Sequence, residues 1–316
     1  MRMVLSGIAD STNFTYAPRQ RYFYQYCFNN SVCWLPASEE TLLNFCSDLH
    51  ASLVSASTIS GYLSAIRHFH LINGFEDPTE GRHRLALFKR GVSVNTAPPV
   101  PRAPVTDSNL FAFLSYLDLS NFKDLTIYAM VTTAFFAFLR ISELTYPDKT
   151  GFSPSSCLTS GDLTWYSDRV LLFLKHSKTD KKRLGVSIII GRSPTEVCAY
   201  KALSLYLTER GRLLPSLDPI SSALFVFPDG SPMTKSFFVS ELCRLSDQVG
   251  VVGKVSSHSL RIGAATSAWR AGFSDSQIMR LGRWKSNSFM RYIRDDEDSL
   301  TALNSSLGAM WRLNVI

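Results

Sequence analysis

The chain has 316 residues, 45% of them apolar, and a formal net charge of +7. That length excludes one small domain and suffices for two, and the apolar share excludes an intrinsically disordered chain. A modest basic excess suits a polyanionic partner without establishing one.

Six cysteines (Cys27, Cys33, Cys46, Cys157, Cys198, Cys243) are scattered, with no Cys-x-x-Cys pair and no His/Cys cluster at zinc spacing. They read as reduced thiols of an intracellular protein. Met1–Asp10 lacks the apolar run and small-residue cleavage site of a signal peptide. The longest apolar stretch, Ile127–Leu139, is too short to span a bilayer and runs directly into Arg140. It reads as a buried helix, and no membrane association is expected.

The first third of the chain is read as a small helical bundle with a basic rim. In TLLNFCSDLHASL, residues Leu42, Leu43, Cys46 and Leu49 share a helix face. In SASTISGYLSAIRHFHLINGF, Ser/Thr residues can cap a helix. Ile59, Tyr62, Leu63, Ile66 and Phe69 or His70 then recur at helical spacing, and Gly74 is a stop. A third helical stretch, RHRLALFKRGV, carries Arg82, Arg84, Lys89 and Arg90. The segment TAPPVPRAPVT holds four prolines and reads as a linker. The expected domains are therefore 1–97 and 107–316, joined by 98–106. No internal repeat or low-complexity tract is visible.

The larger part is read as mixed, giving a mainly α fold with a small β-hairpin or sheet (α+β). A long helix is expected from Asp118 to Tyr146, with Leu125, Tyr128, Thr132, Phe135, Phe136 and Leu139 inward. DRVLLFLKHSKT and RLGVSIIIG are β-rich runs that suggest a hairpin. Helical patterns return in SPTEVCAYKALSLYLTERG and TKSFFVSELCRLSDQVG. The latter begins with Lys235, a first-turn cation able to reach base edges if that helix end enters a major groove.

Between His258 and Arg294 the composition changes. One His, one Tyr and two Trp lie among six Arg, with Asp275 the sole acid. Ser256 or Ser257 can cap a helix ending near Gly272. Ser274–Gln277 is a capping box for a second helix that Gly282 can close, and a short third helix would carry Tyr292. Singly, these residues have plain accounts: a cap, a solvated arginine, a core indole, a half-buried phenol. Arg140 and Glu143 can be an ordinary i,i+3 pair, and Lys178 a turn lysine.

Together, two arginines, an imidazole and an indole N–H suit a phosphodiester whose negative charge grows in a five-coordinate transition state. Tyr292 would supply the nucleophile, and a hairpin lysine would protonate the departing sugar oxygen. Metal-dependent phosphoryl transfer would bring two or three convergent carboxylates; these are missing, so neither a catalytic metal nor another cofactor is expected. The run Asp295–Asp298 reads as a solvated helix end.

These residues resemble the tyrosine recombinase, or integrase, family over most of the chain. LRISEL is similar to the first arginine motif (Arg140, with Glu143 in support), HSKT to the hairpin motif (Lys178 as general acid), and HSLR to the His-x-x-Arg box (His258, Arg261). LGRW places Trp284 where many members have His and Cre recombinase has Trp; RYIR brackets Tyr292. The GRWKS…RYIR form resembles recombinases of eukaryotic mobile elements of the DIRS, Ngaro and Crypton types.

The resemblance implies a helical core-binding (SAM-like) domain and a catalytic domain that clamp double-stranded DNA. It implies strand transfer through a 3′-phosphotyrosine without metal or ATP, in the nucleus of a eukaryotic host or otherwise in the cytoplasm. It implies assembly from dimer to tetramer on DNA, here through a terminal helix Leu300–Ile316 whose Leu300, Leu303, Leu307, Met310 and Trp311 form an apolar stripe. Arg67 and Lys235 are expected to contact DNA, and Arg82, Arg84, Lys89 and Arg90 its phosphates. The competing readings are a domesticated, catalytically silent DNA-binding protein and a nicking-closing enzyme like the type IB topoisomerases.

Overall fold

The computed structural model describes residues 10–98, 100–146, 151–177, 180, 182, 184–294, 301, 304 and 305. The chain divides into two compact units, Met1–Pro99 and Val100–Ile316.

The described part of the first unit is helical: α1 (Asp10–Asn29), α2 (Glu39–Ala51), α3 (Ala56–Ile72) and α4 (His83–Asn95). Ser38 and Ser55 cap α2 and α3, each hydroxyl accepting from a backbone N–H three residues on. Glu39 and Glu40 add negative charge where the α2 dipole is positive. Phe45 is the hub of the core, with ring centroids of Phe23 and Tyr26 each 5.0 Å away in edge-on geometry. On the expected α2 stripe, Leu42, Cys46 and Leu49 are buried but Leu43 only partly so. His70 is buried with both ring nitrogens used: Nδ1 donates to the Ile66 carbonyl and Nε2 accepts from Ala37 N–H, each at 2.9 Å. Helix α1 has no counterpart among the expected elements. Pro18 lies inside it, and its aromatic residues surround the helix, Phe23 buried while Phe14, Tyr22, Tyr24 and Phe28 are exposed.

In the second unit the Pro-rich segment does not run free. Ala103 and Val105 are buried and donate their N–H groups to Lys254 and Ser259 carbonyls, each at 3.0 Å. Pro104 stands between these two donors, at a position that gives no N–H to the contact. Gly263 permits this approach, since a Cβ there would lie 1.7 Å from the Val105 carbonyl oxygen.

Helix α5 (Asp107–Phe113) leads to the central helix α6 (Phe122–Phe136), capped by Asn121 and packed against α8 (Ala199–Leu213) and α10 (Ser259–Arg270). Leu125–Phe135 of α6 is buried on all sides, so no amphipathic stripe marks it. The expected helix Asp118–Tyr146 is corrected here. Helix α6 stops at Phe136, which is exposed, and Phe138 turns to φ 49°. A four-residue helix α7 (Ile141–Leu144) then starts at Arg140. Tertiary hydrogen bonds, described below, satisfy the Ala137 and Phe138 carbonyls that this stop releases.

Strands β1 (Leu163–Trp165), β2 (Arg169–Leu174) and β3 (Val186–Gly191) form an antiparallel sheet in that order. Leu172 pairs with Leu163 on one side and Ile188 on the other. Its inner face, Val170, Leu172, Leu174, Ile188 and Ile190, joins the core. The hairpin is as expected; β1, three residues long, carries no readable period. Helix α9 (Lys235–Gln248), α11 (Asp275–Gly282) and 3₁₀ turns at Leu114–Tyr116, Ser160–Asp162 and Asn287–Arg291 complete the elements named here. All six cysteines are free thiols. Among the described residues no helix is long and apolar enough to cross a membrane.

Candidate active site

Helix α10 brings His258 and Arg261 to one end. Neither Ser256 nor Ser257 is its cap residue; His258 holds that position, without a side-chain cap bond. Ser256 Oγ instead accepts from His258 N–H at 3.3 Å, and Ser259 Oγ from Ser256 N–H at 2.9 Å, fixing the turn. The half-buried imidazole has its pKa held below the ordinary histidine value, first by burial and then by the charges of Arg102, Arg140, Arg261 and Lys235. It is neutral at neutral pH.

Arg261 is 1% exposed. Its guanidinium donates from Nη2 to the Gly282 carbonyl at 2.6 Å and from Nη1 to the Phe138 carbonyl, while Nε has no partner among the described residues. The guanidinium carbon lies 4.2 Å from the Trp284 ring centroid and 5.8 Å from that of Tyr292. The two rings are 5.2 Å apart. Burial, then repulsion from Arg140 and Arg283, pushes the Arg261 pKa down to about 10, so it stays cationic at neutral pH.

Arg140 pairs with Glu143 as expected, but the pair spans the start of α7 rather than the body of a long helix. Glu143 Oε1 accepts from Arg140 Nη1 at 2.8 Å and Oε2 from Arg140 N–H at 2.9 Å. A cleft of about 280 Å³ is lined by Arg140, Arg283, Trp284, Lys285, Arg291 and Tyr292, with Ser286 and Ser288. Arg283, Lys285 and Arg291 were not among the expected site residues, nor was Arg102, whose charge acts on His258. Arg283, Lys285 and Arg291 lie in or beside recognised motifs and Arg102 in the Pro-rich segment, but only the fold shows which of them converge.

Tyr292 follows the 3₁₀ turn, which Phe289 anchors in the core. Its carbonyl accepts from Thr266 Oγ1 on α10 at 3.2 Å, tying the turn to the helix that carries Arg261. The capping box at Ser274 and Gln277 forms as expected. Gly282, expected to close α11, is its last helical residue; the left-handed position is Arg283, φ 57°. Gly282 has a different constraint: a Cβ there would lie 1.6 Å from Trp284 Cζ3.

Lys178 lies outside the described residues. Lys175 nearby is committed elsewhere, its ammonium meeting Asp162 at 2.7 Å and the Pro154 and Cys157 carbonyls at 2.7 and 3.2 Å. Those three acceptors use its three N–H donors.

In the first unit, Arg67, Arg82 and Lys89 line a groove formed by α3, α4 and the turn before α4. Lys89 and Arg90 line an adjoining groove. Arg67 is exposed and ion-paired with Asp77; Arg84 is exposed and lines neither groove. Lys235, in the second unit, is exposed in the first turn of α9. The acidic run Asp295–Asp298 and nearly all of Leu300–Ile316 lie outside the described residues.

No protein-family model matches the chain. An integrase/recombinase XerD homologue of Selenomonas ruminantium is 30% identical over 301 residues, which cover 90% of this chain and 82% of that protein. Among solved structures, the Tn1549 transposon integrase in complex with transposon right-end DNA shares the fold with a TM-score of 0.65, at 17% identity over 95% of each chain. The XerH site-specific recombinase bound to palindromic difH substrate gives 0.62, at 17% identity over 92% of this chain and 78% of that one. A lambda integrase dimer bound to a core site gives 0.58, at 14% identity over 93% of each chain. The chain belongs to the tyrosine recombinase, or integrase, family. It is a recombinase-type enzyme.

Proposed function

We propose that the protein is a site-specific DNA recombinase that cuts and rejoins strands through a 3′-phosphotyrosine at Tyr292. One observation carries this reading: a buried cationic Arg261 stacked on Trp284 and close to Tyr292, beside a cleft that Arg140 also lines. A phosphodiester in that cleft would meet the Arg140 guanidinium directly and the buried charge of Arg261 through a poorly screened medium.

Phenols ionise near pH ~10, so attack at neutral pH calls for cations and a base. His258, held neutral, can take a proton. The tyrosine oxygen attacks phosphorus, the bond to the 5′ oxygen breaks, and Lys178 protonates that oxygen. A 5′-hydroxyl from a second strand then attacks the phosphotyrosine and releases the phenol. One phosphoester replaces another at each step, so the sequence requires neither ATP nor a metal. That Lys175 is fully bonded favours another hairpin lysine as the acid.

The grooves edged by Arg67, Arg82, Lys89 and Arg90 suit a DNA backbone, with Arg84 on the same helix; Lys235 offers a cation at a helix start. The DNA complexes of the Tn1549, XerH and lambda proteins support this partner. Assembly as a dimer to tetramer through Leu300–Ile316 belongs to the same reading and rests on the apolar stripe in its sequence. A chain acting on DNA works where the DNA lies, which is the nucleus in a eukaryotic host.

The test is a covalent adduct on a nicked duplex whose site has been recovered by selection from random DNA. Wild type should form the adduct, and Tyr292→Phe should bind the same DNA and form none. An adduct that persists in the Phe variant overturns the assignment.

A further inference from the structure

Arg283 makes no sense as a surface cation. It sits in the left-handed region at the end of α11, where an L-residue is strained by roughly 1–2 kcal/mol, and its side chain is only 16% exposed. Its guanidinium reaches across the fold to three acceptors: Nη1 donates to the Ala137 carbonyl at 2.9 Å, and Nη2 to the Phe138 carbonyl at 3.3 Å and Glu143 Oε2 at 3.4 Å. The first two are the carbonyls released where α6 stops. The third belongs to the carboxylate that holds Arg140 by both its guanidinium and its backbone N–H.

We infer that Arg283 is a positioning residue that acts on Arg140 through Glu143. Arg140 and Glu143 alone form a neutral unit, which has little to offer a phosphodiester. Glu143 is 6% exposed, so water does little to weaken its hold on Arg140. With the Arg140 guanidinium on Oε1 and Arg283 on Oε2, the carboxylate is shared between two guanidiniums and the cluster carries one net positive charge at the cleft. The bonds to Ala137 and Phe138 meanwhile lock the backbone break that presents Arg140. The planar fork sets one nitrogen on Ala137 and the other on Phe138 and Glu143, a spread that a single ammonium nitrogen cannot reproduce.

The inference rests on reading Arg140 as a phosphate-binding group, and the test keeps the two apart. Single-turnover cleavage at saturating protein would be measured for Arg140→Ala, Arg283→Gln, Arg283→Lys and the Arg140→Ala/Arg283→Gln double variant. The duplex would carry either the ordinary scissile phosphate or a neutral methylphosphonate there. Arg283→Gln should slow cleavage of the phosphate about 10- to 100-fold. The double variant should be no more than about threefold slower than Arg140→Ala, because both changes remove one effect. On the methylphosphonate, which has no charge to meet, the two single penalties should shrink together. Arg283→Lys, which keeps the charge but not the fork, should recover part of the loss.

Multiplying penalties in the double variant, or a loss in Arg283→Gln that is the same on both linkages, overturns the inference and leaves Arg140's role intact. So does a folded Lys variant no faster than the Gln variant; should Gln fail to fold, that comparison passes to Arg283→Lys against wild type on the two linkages. Arg140→Ala cleaving at the wild-type rate overturns the phosphate-binding reading itself.

Discussion

Gly282→Ala tests the aromatic stack with a single methyl group. The added carbon would lie 1.6 Å from Trp284 Cζ3, 2.0 Å from Cε3 and 2.4 Å from Cη2. Carbon atoms rest about 3.5–4.0 Å apart, so the indole must retreat by about 2 Å. It cannot do so and keep Arg261 at 4.2 Å on its face and Tyr292 at 5.2 Å. Overpacking of this kind costs about 1–3 kcal/mol of stability. A displacement of about 1 Å near reacting groups costs about 100-fold in rate, so at least that loss is expected in cleavage. On the proposed reading DNA affinity rests on phosphate contacts away from this stack and should change little. Thermal melting and single-turnover adduct formation would be compared with Gly211→Ala, where an added Cβ meets open space on α8. That control should gain about 0.5–1 kcal/mol and cleave normally. Cleavage within threefold of wild type in Gly282→Ala would refute the claim that indole placement matters.

Two further outcomes follow from charge. The folded-state pKa of His258 lies below the ~6.5 of a free imidazole, so on acidification the unfolded chain takes up the proton first. Its stabilising contribution is therefore complete above pH ~6.5 and lost as pH falls through the folded value. His258→Gln should flatten the acid limb of melting temperature against pH, and an unchanged limb contradicts the burial argument. Neutralising Lys89 and Arg90 together with Gln should weaken DNA binding evenly across sequences and reduce the slope of log K against log[salt] by about 2. A slope equal to that of wild type would remove the α3–α4 grooves from the DNA interface.

Most of the elements were legible because their signals are local. The capping serines at 55 and 274 act on N–H groups three residues away, and the β2–β3 hairpin reads from two β-rich runs close together in the chain. Arg140, His258, Arg261, Trp284 and Tyr292 could be named from the sequence because donors grouped with a phenol suit phosphate chemistry, and Glu143 because LRISEL resembles the family's first arginine motif. Helix α1 was not, because its aromatic residues surround the helix and leave no period to find. Nor was the end of α6: Phe136 and Leu139 continue its apolar run, and no cap or proline marks a stop. That boundary is drawn by arginines 123 and 146 residues away, whose guanidiniums supply the donors that the Ala137 and Phe138 carbonyls need. Periodicity and capping are short-range properties of the chain, whereas the partner of a released carbonyl is whichever donor the fold carries to it. The chain alone therefore names Arg140 and Glu143, and only the tertiary structure shows Arg283 holding them.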